Sequence, residues 1–233
     1  MRGLSTVMTL WYRPSAMHYA LISFLNARPL WWGLTHDPRP GDTFEFTSPA
    51  RCADLLAEGK AHLGLIPAIE LARIPDLIAI PEICIASKSE VRSVLLLSRV
   101  PFDRIRSVAL DPSSRTSLTL ARILLAERLG SARYESVKFD AVEGDALVTL
   151  EGHDAAVVIG DRALRATLGE TARSYEYVYD LVREWHTMFD EPFVFALWAG
   201  RRDVVGEDPR LCERLRASQD LVNDSRVLLV HHS

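Results

Sequence analysis

The sequence predicts an α/β protein of two lobes. Short apolar runs with strand character alternate with amphipathic segments of helical spacing along most of the chain. Gly, Pro and N-cap residues punctuate the changes from one to the other. The βα runs also fall into two self-contained sets, one before about residue 92 and one from about 93 to 194, and the final strand and helix return to the first. Strands separated by helices of this length predict parallel sheets with helices on both faces.

The elements follow in order. His18–Phe24 reads as a buried strand, with Asn26 just after it and a short helix over Pro29–Leu34. Thr43–Phe46 alternates as a strand does. Ser48 and Pro49 make an N-cap and first-turn proline for a helix that runs to Glu58 and stops at Gly59. His62–Ile66 is a strand broken by Pro67, and a short helix spans Ala68–Arg73. Leu77–Ala86, Ser93–Leu97 and Ser107–Leu110 are apolar strand runs. The clearest helix follows the polar turn 111–116: Leu118, Ala121, Leu125 and Leu129 lie at helical spacing, and Gly130 closes it. A strand near Val137 and a short helix near Ala146 lead to the buried strand Ala155–Ile159, and Gly160-Asp161 turns into a helix through Leu168. Tyr175–Tyr179 is a strand, Leu181–Thr187 a helix and Phe193–Ala199 a strand. The chain from Asp208 onward reads as mostly helical.

Composition excludes several classes. With 233 residues, 48% hydrophobic and 25% charged, the chain has material for a real core. A net charge of −4 argues against a generic nucleic-acid surface. Of the 27 basic residues only Lys60, Lys88 and Lys138 are lysines, a compositional bias without functional weight. No apolar stretch approaches the length of a membrane span. Cys52, Cys84 and Cys212 lie far apart, as expected of reduced, mostly buried thiols in a cytoplasmic protein. His18, His62, His153 and His186 show no metal-ligand spacing, so no metal site is expected. Neither G-x-S-x-G nor G-x-G-x-x-G occurs.

The best site signal is the turn Asp111-Pro-Ser113-Ser114-Arg115-Thr116-Ser117 at the start of the strong helix. A helix start offers unpaired backbone N–H groups and a partial positive charge. The hydroxyls of Ser113, Ser114, Thr116 and Ser117 add donors, and the Arg115 fork suits a carboxylate. The turn reads either as an anion cradle or as ordinary helix capping. Asn26 either faces a ligand at a strand's C-terminal end or caps a turn. Ser87, Lys88 and Ser89 stand at another strand end, where they contact a ligand or form a solvated turn. Asp161 either acts on a ligand or caps its helix. The tryptophans Trp31, Trp32, Trp185 and Trp198 read as packing.

Several ordered motifs carry a resemblance. Ile22-Ser-Phe-Leu-Asn26-Ala-Arg-Pro-Leu30 resembles the "YLN-x-x-PL" opening of the chorismate dehydratase family of the futalosine route to menaquinone, and Gly64-Leu-Ile-Pro67 is similar to its second signature. Val91–Leu97, Leu110–Ser117 and Val158–Leu164 are similar to its second-lobe motifs. Asp180–Trp185 with Pro192–Ala196 is similar to its return crossing. The resemblance runs from about His18 to Gly200.

It implies a two-lobed type 2 periplasmic-binding-protein-like fold with a central cleft. The lobes are expected at 17–92 plus 195–233 and at 93–194, with residues 1–16 a flexible extension. Members of the family continue beyond the point that matches Ser233. The resemblance further implies a cofactor-free cytoplasmic lyase with the small-molecule substrate chorismate as partner and no nucleic-acid or membrane partner. Asn26 and Asp161 become its catalytic candidates; Ser87, Ser89, Ser113, Ser114, Arg115, Thr116 and Ser117 become its substrate-binding candidates. The sister enzyme of the route has a catalytic His where this chain has Asp161, which favours the dehydratase. A rival reading is a solute-binding protein that closes on a small anion and does no chemistry, because fold alone does not separate the two.

Overall fold

The computed structural model describes residues 16–110, 114–142, 152–167, 175–208 and 210–224. The expected helix near Ala146, most of the expected N-terminal extension and Ser113 lie outside the described residues. Contacts divide the described chain into two compact units. The first holds the residues up to Leu65, Ile74–Ile83 and those from Trp198 on; the second holds Ile66–Arg73 and Cys84–Leu197.

In the first unit, β1 (His18–Ile22) leads through a single 3-10 turn, Leu25–Ala27, into α1 (Arg28–His36). β2 (Thr43–Thr47) precedes α2 (Pro49–Ala57), which begins as the sequence predicts: the Ser48 hydroxyl accepts from the Arg51 N–H at 3.3 Å, and Pro49 takes the first helical position. β3 (Leu63–Pro67) is buried throughout, and the short α3 (Glu70–Arg73) belongs to the second unit. β4 (Leu77–Ser87) and β10 (Phe193–Arg201) each begin in one unit and end in the other. The units therefore change over inside three strands, between Leu65 and Ile66 in β3, between Ile83 and Cys84 in β4 and between Leu197 and Trp198 in β10, and once more between Arg73 and Ile74, whereas the sequence reading places the changes at 92/93 and 194/195. A continuous apolar strand carries no mark of such a boundary.

The sheet of this unit has the order β2-β1-β3-β10-β4. β1 runs parallel to both neighbours, with His18 opposite Thr43 and Tyr19 opposite Leu63. α8 (Arg202–Glu207) and α9 (Leu211–Asp224) complete the unit. α9 lies against α1 so closely that a Cβ on Gly33 would sit 2.6 Å from the Ser218 Cα, which is why a residue without a side chain stands there. The Ser218 hydroxyl accepts from the Leu34 N–H at 3.1 Å. Buried Asp42 accepts from Arg214 at 2.7 Å, and buried Asp208 accepts from Arg39 at 2.7 Å. The tryptophans pack as expected: Trp198 is fully buried, and Trp31 donates to the Ile22 carbonyl.

In the second unit, β5 (Val94–Ser98), β6 (Ser107–Leu110), α4 (Arg115–Leu129), α5 (Ser131–Tyr134), β7 (Lys138–Ala141), β8 (Ala155–Ile159), α6 (Asp161–Thr167), β9 (Tyr177–Asp180) and α7 (Leu181–Phe189) follow in order. The sheet order is β7-β6-β8-β5-β9. β6 is parallel to β7 and β8, but β5 is antiparallel to β8 and β9. This corrects the expectation of purely parallel sheets. The connection from β5 to β6 of the same sheet, 99–106, holds only a single 3-10 turn, too short for the crossover that two parallel strands of one sheet require, so the two run in opposite directions. Every residue of β5 is buried. Val94 and Leu96 pack with Leu120, Leu124 and Leu181 on one face, and Leu95 and Leu97 pack with Ala163 and Ala166 on the other.

The cysteines differ from expectation in part. All three are free, but only Cys52 is buried, and burial pushes its thiol up to about 12; Cys84 is exposed and Cys212 half-buried. Local sequence shows that these positions are apolar, not which surface later covers them.

Candidate functional site

α4 starts where the sequence places it. Ser114 is its N-cap: the backbone there is extended, the hydroxyl accepts from the Ser117 N–H at 3.3 Å, and it donates to the Ser117 hydroxyl at 2.8 Å. The capping role is thus present in the structure. Ser114→Ala is expected to cost about 0.5–2 kcal/mol of folding stability, checked by the urea midpoint.

Thr116 and Ser117 are buried in the first turn of α4. The Thr116 hydroxyl donates to the Phe195 carbonyl at 3.1 Å, and the Ala68 N–H donates to the same oxygen at 2.9 Å. One carbonyl of β10 therefore anchors both the start of α4 and the turn that leads into α3. That double anchor brings Glu70 of α3 to Arg115. The Glu70 carboxylate, only 2% exposed, accepts from Arg73 at 2.9 Å and from Arg115 at 3.3 Å, both at Oε1. Glu70 thus joins the guanidinium groups of Arg73 and Arg115 beside the N–H groups of a helix start.

The other candidates stand elsewhere. Ser87 is half-buried at the end of β4; its hydroxyl donates to the Glu90 carbonyl and accepts from the Ser89 N–H, each at 3.3 Å. This is a local serine turn with Ser89 exposed on it. Asp161 is exposed as the first residue of α6, after Gly160 at φ +62°. Asn26, in the first unit, is exposed in the 3-10 turn directly after β1, next to exposed Phe24 and Leu25. No group of His, Cys, Asp or Glu that could hold a metal ion occurs among the described residues. No helix among them is long and apolar enough to cross a membrane.

Two residues escape the sequence reading. Glu70 sits three residues before Arg73, a visible ion-pair spacing, but nothing local marks it as buried. Asp180 is the N-cap of α7, which the helix-start rule alone would have found. Its Oδ1 accepts from the N–H groups of Val182 and Arg183 at 3.0 and 3.1 Å, and its Oδ2 accepts from those of Val91 and Arg92 at 3.0 and 2.7 Å. A single buried carboxylate thus ties the β4–β5 connection to the start of α7.

The comparisons with known proteins agree with this architecture. The family model described as menaquinone biosynthesis matches residues 17–232. A relative named chorismate dehydratase, from Thermus thermophilus, is 32% identical over 168 residues, which are 66% of this chain and 60% of that protein. The match therefore spans about three fifths of the length of that relative. Among solved structures, a protein of Archaeoglobus fulgidus superposes with a TM-score of 0.62 at 14% identity over 92% of this chain and 80% of its own. The periplasmic aliphatic sulphonate binding protein of Escherichia coli does so with a TM-score of 0.61 at 15% identity, over 92% of this chain and 76% of its own. At such identities these structures show the fold alone, and it is the α/β fold of periplasmic solute-binding proteins. With the family match running from Met17 to His232, the chain belongs to the menaquinone biosynthesis family.

Proposed function

We propose that this protein is a cytoplasmic hydro-lyase that dehydrates chorismate to 3-[(1-carboxyvinyl)oxy]benzoate. The observation that carries the reading is the start of α4, where the Ser114 hydroxyl caps the first turn and Arg115 of the same turn is held by the buried Glu70 carboxylate. It occurs in a chain 32% identical to a protein named chorismate dehydratase.

The reaction asks for little beyond placement. The C3–H bond breaks, its electron pair forms the last ring double bond, and hydroxide leaves C4 and takes up a proton as water. Aromatisation supplies the driving force. The protein has to bind two carboxylates, align the C3–H and C4–O bonds and keep bulk water away. The start of α4, with Ser113, receives one carboxylate. Ser87, Ser89 and Asn26 address the ring hydroxyl or the second carboxylate. The proton at C3 passes to Asp161 or to the enolpyruvyl carboxylate of the substrate itself. The second route is preferred, because Asp161 stands exposed as the first residue of a helix, a position that such a side chain commonly takes for capping alone.

The direct test is incubation with chorismate while the aromatic product is followed by absorbance. Binding without turnover would favour the non-catalytic solute-binding rival. In the active protein, Asp161→Asn is expected to lower kcat by less than the roughly 10²–10⁴-fold that removal of a general base costs. A nearly dead Asp161→Asn enzyme that still binds product normally would assign the base to Asp161.

A further inference from the structure

We infer that Glu70 is a positioning residue, whose buried carboxylate holds the Arg115 guanidinium in the orientation that receives the substrate's carboxylate. The inference rests on the dehydratase reading and extends it to a residue outside the α4 turn. An arginine on a helix start has a long flexible arm, and ordering it costs side-chain entropy that a bound ligand must otherwise overcome. Here that ordering is arranged in advance. Glu70 and Thr116 are held to a common point, the Phe195 carbonyl, through the Ala68 N–H on one side and the Thr116 hydroxyl on the other. The carboxylate is therefore fixed relative to the first turn of α4, and Arg115 is fixed to the carboxylate. A guanidinium has five N–H donors in a rigid fork, so gripping one nitrogen orients the whole plane.

A buried carboxylate beside an anion site is a liability unless it does something. Its charge opposes the ligand, and Arg73 offsets that charge from the other side. This gives the two possible roles opposite signs. If Glu70 merely moderates an excess of positive charge, its neutralisation tightens anion binding. If it positions Arg115, neutralisation loosens it.

Glu70→Gln keeps the shape and removes the charge. The positioning role predicts a KM for chorismate raised about ten- to a hundredfold, the scale of a charge-assisted hydrogen bond, with kcat within about twofold. In an Arg115→Ala background the same substitution is expected to leave KM where Arg115→Ala alone has put it. A purely structural role would instead lower the fraction of active enzyme, and so kcat, at unchanged KM. Should Glu70→Gln not fold, Glu70→Asp, which keeps the charge on a shorter arm, is read in the same way. Unchanged or tighter chorismate binding by Glu70→Gln, or an equal KM effect with and without Arg115, overturns the inference while the dehydratase reading stands. A wild-type protein that neither converts nor binds chorismate overturns both.

Discussion

Asp180→Ala is expected to destabilise the second unit by about 3–5 kcal/mol, well beyond the loss of a helix cap alone, because it strands buried donors as well. The carboxylate accepts from four backbone N–H groups, two on the β4–β5 connection and two on the first turn of α7. Alanine supplies none of these acceptors, and the side chain is buried, so water replaces it poorly. Arg92 is also in the left-handed region at φ +56°, a conformation an arginine does not choose unaided. Without the Asp180 bond to its N–H, that residue relaxes and the entry into β5 loosens. For a chain of this size the loss corresponds to a fall in Tm of about 6–20 °C. Asp180→Asn is expected to be milder, because its one oxygen serves one of the two segments. A calorimetric scan that shows Asp180→Ala within a degree of wild type would mean that the tie carries no load.

Asn26→Asp is expected to do the reverse: to leave stability within about 0.5 kcal/mol, as exposed substitutions do, and to abolish most turnover. Asn26 is exposed and makes the turn after β1 through backbone geometry, not through its side chain. On the proposed reading, an added carboxylate there would face a substrate that carries two of its own. At about 5 Å and an effective dielectric near 20, two unit charges repel by about 3 kcal/mol, which corresponds to about a hundredfold in kcat/KM. Normal turnover by a folded Asn26→Asp protein would remove Asn26 from the site.

These residues also show how far a sequence can be read. The strands β6 and β8 coincide with their apolar runs, and α4 starts and stops at its own polar turn and glycine. Such elements are written locally, in periodicity and caps. The reversal of β5 is not, because strand direction depends on where the chain re-enters the sheet and not on the composition of the strand. The same division runs through the site. Ser114 and Asp161 are visible as helix starts. Glu70 is not, because its burial is created by β10 and α4, which lie far from it in the chain.

The sheet order of the first unit has a consequence during synthesis on the ribosome. β10 lies between β3 and β4, so two strands made early are separated by a slot that only a late strand can fill. The fully buried apolar β3 therefore leaves the ribosome with one hydrogen-bonding edge open, and β4 has no neighbour until β10 appears. At about 5–20 residues per second that interval lasts about 5–20 s, long compared with the time strands need to find wrong partners. The core of the second unit is encoded almost entirely within that interval and can close first. Slower translation through 88–192 would lengthen the life of the open edge, and the yield of native protein would then depend on elongation rate and on chaperones that shield strand edges, even where the finished fold is equally stable.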